Sequence, residues 1–390
     1  MQKIFTRDFV LCFFAQFAFS SVFFILIPTI PIYLSRLGTT DVGIGVLVGV
    51  LSVSSLILRP LVGRALLRIP EKKFMVGGTL LYTFSSVAYL FAKPFWPILI
   101  VRVFQGIGLA VFQTASFTLI TRISPDARRG QSLSYFYLAI NVAFALGPSI
   151  GMYVMNLFDF TILFLVCTGL SLLSLVITLK LTESQGVPLE NDTSHDQPFI
   201  TREALPAAIM AFMGSIIWGA LTAFFPLYAL QHGVANPGLF FAAMALTLIF
   251  GRALGGRKLD LYRREKVILP CLIAQIVAMT ILVFSTTLPM FIVVAVVWGI
   301  GTAFFYPTLV AYIIDLAGSS RGPAMGTYLA LSDFGAGMGS VIMGIILQLS
   351  NFQIMFLALV LTGLMNLSYF HFVVKKRNGK QYANLRIPLQ

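Results

Sequence analysis

Charge is scarce in this chain. Asp, Glu, Lys and Arg make up only 11% of its 390 residues, and only 14 of those are acids. With 58% hydrophobic residues, a soluble domain could not cover its surface with polar groups. Histidine and cysteine number three each. Cys12, Cys167 and Cys271 lie in apolar runs without the spacing of a metal site or a disulfide framework, and read as small packing residues. There is no Ser/His/Asp set, no HExxH and no pair of catalytic carboxylates, so an enzyme is not expected. The net charge of +13 would suit nucleic acid, but the basic residues fall in short clusters between apolar runs rather than along one face. A lipid bilayer is the expected partner, and nucleic acid is not.

What the chain does have is a repeat. Arg59-Pro60-Leu61-Val62-Gly63-Arg64 returns 193 residues later as Arg252-Ala253-Leu254-Gly255-Gly256-Arg257, and Gly106-Ile107-Gly108 as Gly299-Ile300-Gly301. Pro31-Ile32-Tyr33 has its echo in Pro226-Leu227-Tyr228. Duplication in so apolar a chain points to two membrane bundles related by a pseudo-symmetry axis, an architecture of many secondary transporters.

Twelve apolar stretches reach the roughly 20 residues that a span requires, at about 8–34, 42–66, 74–92, 97–121, 131–155, 160–181, 204–231, 238–257, 267–286, 289–314, 323–348 and 353–374. The first is too long for a signal-peptide core and is expected to be retained. Basic clusters alternate with loops poor in them: Lys3 and Arg7; then Arg59, Arg64, Arg68, Lys72 and Lys73; then Arg122, Arg128 and Arg129; then Arg252 to Lys266; then Arg321; then the tail from Lys375. This positive-inside pattern places both termini in the cytoplasm, in a multi-pass protein of the plasma membrane. Residues 182–203 are polar and hold Pro188, Pro198 and five acids, so they read as a cytoplasmic linker between a bundle over 1–181 and one over 204–390.

One acid stands out. Asp333 lies near the middle of the eleventh span, where desolvation disfavours a charged carboxylate unless a cation meets it. No Lys or Arg is near it on its own helix, so a partner must come from another one. Its repeat mate is Asn141. Either a proton-carrying or a packing role is open to it. Arg102 is the corresponding cation, about five residues and 7.5 Å inside the fourth span. It faces a cavity or a partner there, or snorkels to the surface.

Several of these stretches resemble motifs of the major facilitator superfamily, over essentially the whole chain. The segment from Gly63 to Lys73 is similar to the family's signature between helices 2 and 3, with Leu67 in place of the Asp and Pro70 in place of a Gly. The second copy, Gly256 to Arg264, keeps Asp260. Arg102-Val103-Phe104-Gln105-Gly106 resembles the helix 4 signature of drug/proton antiporter-type exporters, and Gly147-Pro148-Ser149-Ile150-Gly151 their helix 5 motif. The resemblance implies an all-α fold of twelve transmembrane helices in two pseudo-symmetric six-helix bundles. It implies gating by Gly147, Pro148, Gly151, Asp260 and Arg264 and, through the helix 4 signature, proton coupling by Arg102; proton coupling through Asp333 is read from its depth in the span. It further implies a substrate cavity between helices 1, 4, 7 and 10. Those helices offer Phe13, Gln16, Phe17, Gln105, Gln113, Trp218, Phe224, Trp298, Phe304 and Tyr306, with Asn141 contributed by helix 5. Many aromatics with a few amides suit a small amphipathic organic substrate.

The expected function is therefore proton-coupled export by a monomer that uses the proton gradient and no cofactor. Import or facilitated passage of sugars or metabolites in the same fold is the alternative. A non-transporting membrane receptor or lipid-handling protein is the alternative of another class.

Overall fold

The computed structural model describes residues 4–66, 68–92, 94–125, 128–182, 202, 204–259, 264–317 and 321–375. In lipid a segment must satisfy its own backbone groups, which leaves helices for apolar runs of this length. The chain forms α1 (Arg7–Arg36), α2 (Asp41–Ala65), α3 (Glu71–Ala88), α4 (Trp96–Ile123), α5 (Arg129–Leu157) and α6 (Phe160–Leu179). It continues with α7 (Leu205–Gln231), α8 (Gly238–Leu259), α9 (Arg264–Phe284), α10 (Leu288–Ala317), α11 (Arg321–Leu349) and α12 (Phe352–Tyr369), which ends in a π-helical turn, Phe370–Val374. Among the described residues, ten of the twelve are long and apolar enough to cross a membrane. In α8 the apolar part, Gly238–Ala253, is shorter, and α3 opens on the charges of Glu71, Lys72 and Lys73. The linker expected between the halves falls mostly outside the described residues.

Helix starts are read from local chemistry. Thr6, Thr40, Asp159 and Asn351 each accept a backbone N–H three residues on, capping α1, α2, α6 and α12. Gly38 and Gly233 end α1 and α7 with a φ of 76°, a left-handed turn that side chains resist.

The two sets of six repeat one another's neighbours. α1 packs on α5 and α6 as α7 packs on α11 and α12; α4 lies against α2 and α3 as α10 lies against α8 and α9. α1 and α7 bury 67% and 72% of their spans, whereas α6 and α12 bury 33% and 28% and turn Leu172, Leu173, Leu361 and Leu364 outward. Exposed leucine on this scale makes sense only against lipid.

Between the halves, α2 meets α11 and α5 meets α8. These two seams lie toward the end of the molecule that carries the α1–α2 and α7–α8 turns, away from the basic loops. At its tightest point neither has space for a side chain. A Cβ at Gly45 would collide with the carbonyl of Ser340, and one at Gly238 with that of Pro148. At the rims, Val42 N donates to Gln348 Oε1 at 3.2 Å, and Asn156 Nδ2 donates to the Ala235 carbonyl at 2.8 Å.

Candidate functional site

On the other side of the seams, toward the basic loops, the halves part around a cavity of about 420 Å³. Its wall mixes aromatic, aliphatic and polar side chains. Trp218 of α7 stacks on Trp298 of α10 with ring centroids 5.9 Å apart and planes 20° apart, and Phe144 of α5 meets Trp218 edge-on at 5.8 Å. Phe23, Phe24 and Tyr306 add to the apolar surface beside aliphatic residues such as Leu109 and Met244, and Gln113, Thr302, Ser215 and Ser332 are among the polar groups. The Ser215 and Ser332 hydroxyls lie 2.8 Å apart and join α7 to α11.

The charged groups on this wall are Arg59 and Asp333. Arg59 Nε of α2 lies 3.0 Å from Asp333 Oδ2 of α11, so the pair crosses from one half to the other. Its N–H points elsewhere, donating to Ser55 Oγ at 3.2 Å, and Asp333 Oδ2 accepts no hydrogen bond. The cation that Asp333 demands thus comes from a helix whose basic residues looked merely topogenic. Arg59 lies well inside its predicted span, and that depth was the available signal. The serines carried none, since serine at helical spacing is common in membrane packing.

Arg102 does not snorkel. It is 6% exposed and spans α4 to α2: Nε donates to the Leu47 carbonyl at 2.8 Å, Nη2 to that of Val48 at 3.2 Å, and Nη1 to Gln105 Oε1 at 2.9 Å. The Tyr89 hydroxyl donates to the same Gln105 oxygen at 2.8 Å. Arg102 and Gln105 face a second cavity of about 50 Å³, which shares Phe23, Leu51, Ser52, Trp218 and Ala336 with the larger one.

Several expected cavity residues stand elsewhere. Gln16 is fully buried and stitches α1 to α4, donating to Ser20 Oγ and accepting from Ser116. Phe13 packs edge-on against Phe14, Phe17 and Phe304 pack against the core, Phe224 is fully buried, and Asn141 is half-buried on α5 away from the cavity wall. Their helices are those expected; the faces are not, because apolar faces of a buried helix look alike in sequence. Gly147 and Gly151 bring α5 against Phe24 and Ile25 of α1, with 2.8 Å to a built Cβ in each case. Together with Pro148 they make a close-packed joint. Asp260 lies outside the described residues. Arg264 opens α9. In the first half, where the signature lacks its Asp, Glu71 pairs with Arg122 of α4 at 2.8 Å and Lys72 donates to the Leu181 carbonyl at 2.6 Å. That clamp ties α3, α4 and the end of α6 within one half.

The sequence model of the Major Facilitator Superfamily matches residues 12–257 and 208–386. The chain belongs to that superfamily. It is 25% identical over 362 residues to the staphylopine export protein of Staphylococcus aureus, covering 89% of each chain. It is 24% identical over 334 residues to the quinolone resistance protein NorA of the same organism, covering 82% of this chain and 84% of NorA. Among solved structures it resembles the nucleoside transporter NupG, with a TM-score of 0.77, 11% identity and coverage of 94% and 100%. It also resembles the human organic anion transporter MFSD10, with a TM-score of 0.70, 15% identity and coverage of 93% and 98%. The protein is a multi-pass membrane transporter of this superfamily, not an enzyme, and its relatives include efflux proteins.

Proposed function

We propose that this transporter exports small amphipathic organic compounds in exchange for protons, as a monomer in the cytoplasmic membrane with both termini in the cytoplasm. The observation that carries the reading is the Arg59–Asp333 pair, which joins the two halves on the wall of the larger cavity. The names of the staphylopine and quinolone relatives favour export. In this orientation the basic loops face the cytoplasm. The seams then close the outer end, and the cavity is the inward-facing substrate site.

The cycle follows from charge. With Asp333 ionised, the pair links α2 to α11, and the cavity holds a carboxylate that an incoming group can use. Protonation from the outer face abolishes that attraction and weakens any substrate contact with Asp333, so release and proton entry coincide. Driving a two-state equilibrium from 1:99 to 99:1 takes about 5.5 kcal/mol of differential interaction, more than the roughly 3–5 kcal/mol typical of breaking one buried pair. The seams must therefore be remade on the cytoplasmic side to supply the rest.

A substrate screen in everted vesicles with a pH-sensitive dye tests this. Export predicts that adding a substrate discharges the imposed pH gradient and that the compound accumulates in the lumen. A facilitator would equilibrate the compound and leave the dye signal unchanged, and that result would contradict the proposal.

A further inference from the structure

The Arg59–Asp333 pair is poorly made for a structural one. An arginine that serves only to hold a carboxylate commonly presents two parallel N–H groups to it. Here Nε turns to Ser55, Asp333 Oδ2 receives no hydrogen bond, and both side chains keep about a quarter of their surface open, 27% for Arg59 and 24% for Asp333. A second polar atom on a residue of the same wall also lacks a hydrogen-bond partner: Trp298 Nε1, in a ring only 2% exposed. Buried donors and acceptors left unmade are costly, so an acceptor and a donor without hydrogen-bond partners, on residues that line one cavity, mark a wall that a polar ligand can complete.

The charges decide what that is. A cationic amphiphile would satisfy Asp333 and leave Arg59 desolvated without an anion. An anionic one would do the reverse, and a neutral one would separate neither charge from its poor partner. Stranding one member of a buried pair is the expensive outcome. A molecule that carries both a carboxylate and an amine avoids it at both ends, its carboxylate on the open Nη groups of Arg59 and its ammonium on Asp333. Its apolar body then lies along the Trp218–Trp298 stack. Resting on the export reading above, we propose that the substrates of this cavity are zwitterionic amphiphiles, aryl-bearing molecules with an amine and a carboxylate, which insert between Arg59 and Asp333. Substrate ammonium and transported proton then compete for one carboxylate, and their mutual exclusion is what makes the exchange obligatory.

Three congeners of one fluorescent scaffold test the class: Nε-dansyl-lysine, which is zwitterionic; its methyl ester, a cation; and its Nα-acetyl derivative, an anion. Dansyl emission reports their entry into the full chain purified in lipid nanodiscs, measured against empty nanodiscs. The zwitterion is expected to bind at least about tenfold tighter than either congener, as when a site built for a polar group meets an analogue lacking it. Asp333→Asn should lower the zwitterion to the affinity of the acetyl derivative, and Arg59→Gln to that of the ester. The ranking in the parent protein needs no variant to fold. Equal affinities, a preference for the ester or the acetyl derivative, or no binding of any of the three overturns the proposal. Binding requires no gradient, so the absence of proton movement in vesicles would sink the coupled-export reading while leaving this ranking to stand or fall by itself.

Discussion

The α2–α11 seam and the α5–α8 seam are built to one plan down to single residues, and then diverge at one layer. At the rim, Val42 with Gln348 is matched by Ala235 with Asn156. One layer in, Gly45 against the Ser340 carbonyl is matched by Gly238 against that of Pro148. Each partner lies 192 or 193 residues from its counterpart. At the level of the cavity the match fails. Arg59 meets Asp333, whereas its counterpart Arg252 has Asn141 where the acid would be by the repeat, and its Nε donates to the Ala303 carbonyl at 3.5 Å. The same contrast separates the central helices. α4 carries Arg102 and Gln105, where α10 carries Ala295 and Trp298. Closing hardware is thus duplicated and chemistry is not. Both seams close the same end of the molecule, so the relation between the halves shuts that end from two sides with matched contacts. A titrating carboxylate in a membrane is expensive, and one suffices for one exchange.

If the seams are equivalent gates, crowding either should be equally damaging. Gly45→Val and Gly238→Val each place side-chain atoms against backbone that cannot move aside. Overpacking of this kind costs about 1–3 kcal/mol, all of it charged to the outward-closed state. Efflux is expected to fall by about five- to a hundredfold, similarly in both variants. A large loss in one with parental efflux in the other would break the equivalence.

The cavity layer can be probed by restoring the missing symmetry. Asn141→Asp offers Arg252 the partner that Arg59 has. A second link between the halves should slow turnover several-fold and steepen the dependence of efflux on pH, measured in energised vesicles. Parental kinetics would mean that the α5–α8 side takes no part at this level. The smallest effect belongs to the rim. Gln348→Ala and Asn156→Ala each remove one exposed hydrogen bond between halves, typically worth ~0.5–1.5 kcal/mol and less in water. A change of efflux of about twofold, similar in both, is expected.

The fold was open to reading because its signals are long and redundant. Apolar runs, basic clusters and the 193-residue echo each point to the same twelve helices. The site was legible in part. Asp333 announced itself by being an acid in a span, and Arg102 and Gln105 by polarity on an apolar helix. Arg59 was hidden among topogenic arginines, since only tertiary packing distinguishes a basic residue that reaches into a cavity from one that reaches out to a headgroup. Phe13, Phe17 and Phe224 failed for the converse reason: with aromatic residues all round a helix, periodicity does not tell the cavity face from the packed one.

The central claim is that asymmetry at one carboxylate couples export to protons. The direct measurement is the pH profile of substrate efflux in everted vesicles for the parent and Asp333→Asn, with membrane insertion checked for both. Efflux by the parent should vary with pH and discharge the gradient, while Asp333→Asn should still bind and equilibrate substrate with a flat profile and no proton movement. A profile for Asp333→Asn that coincides with the parent's would show that the pair with Arg59 is structural and would contradict the account.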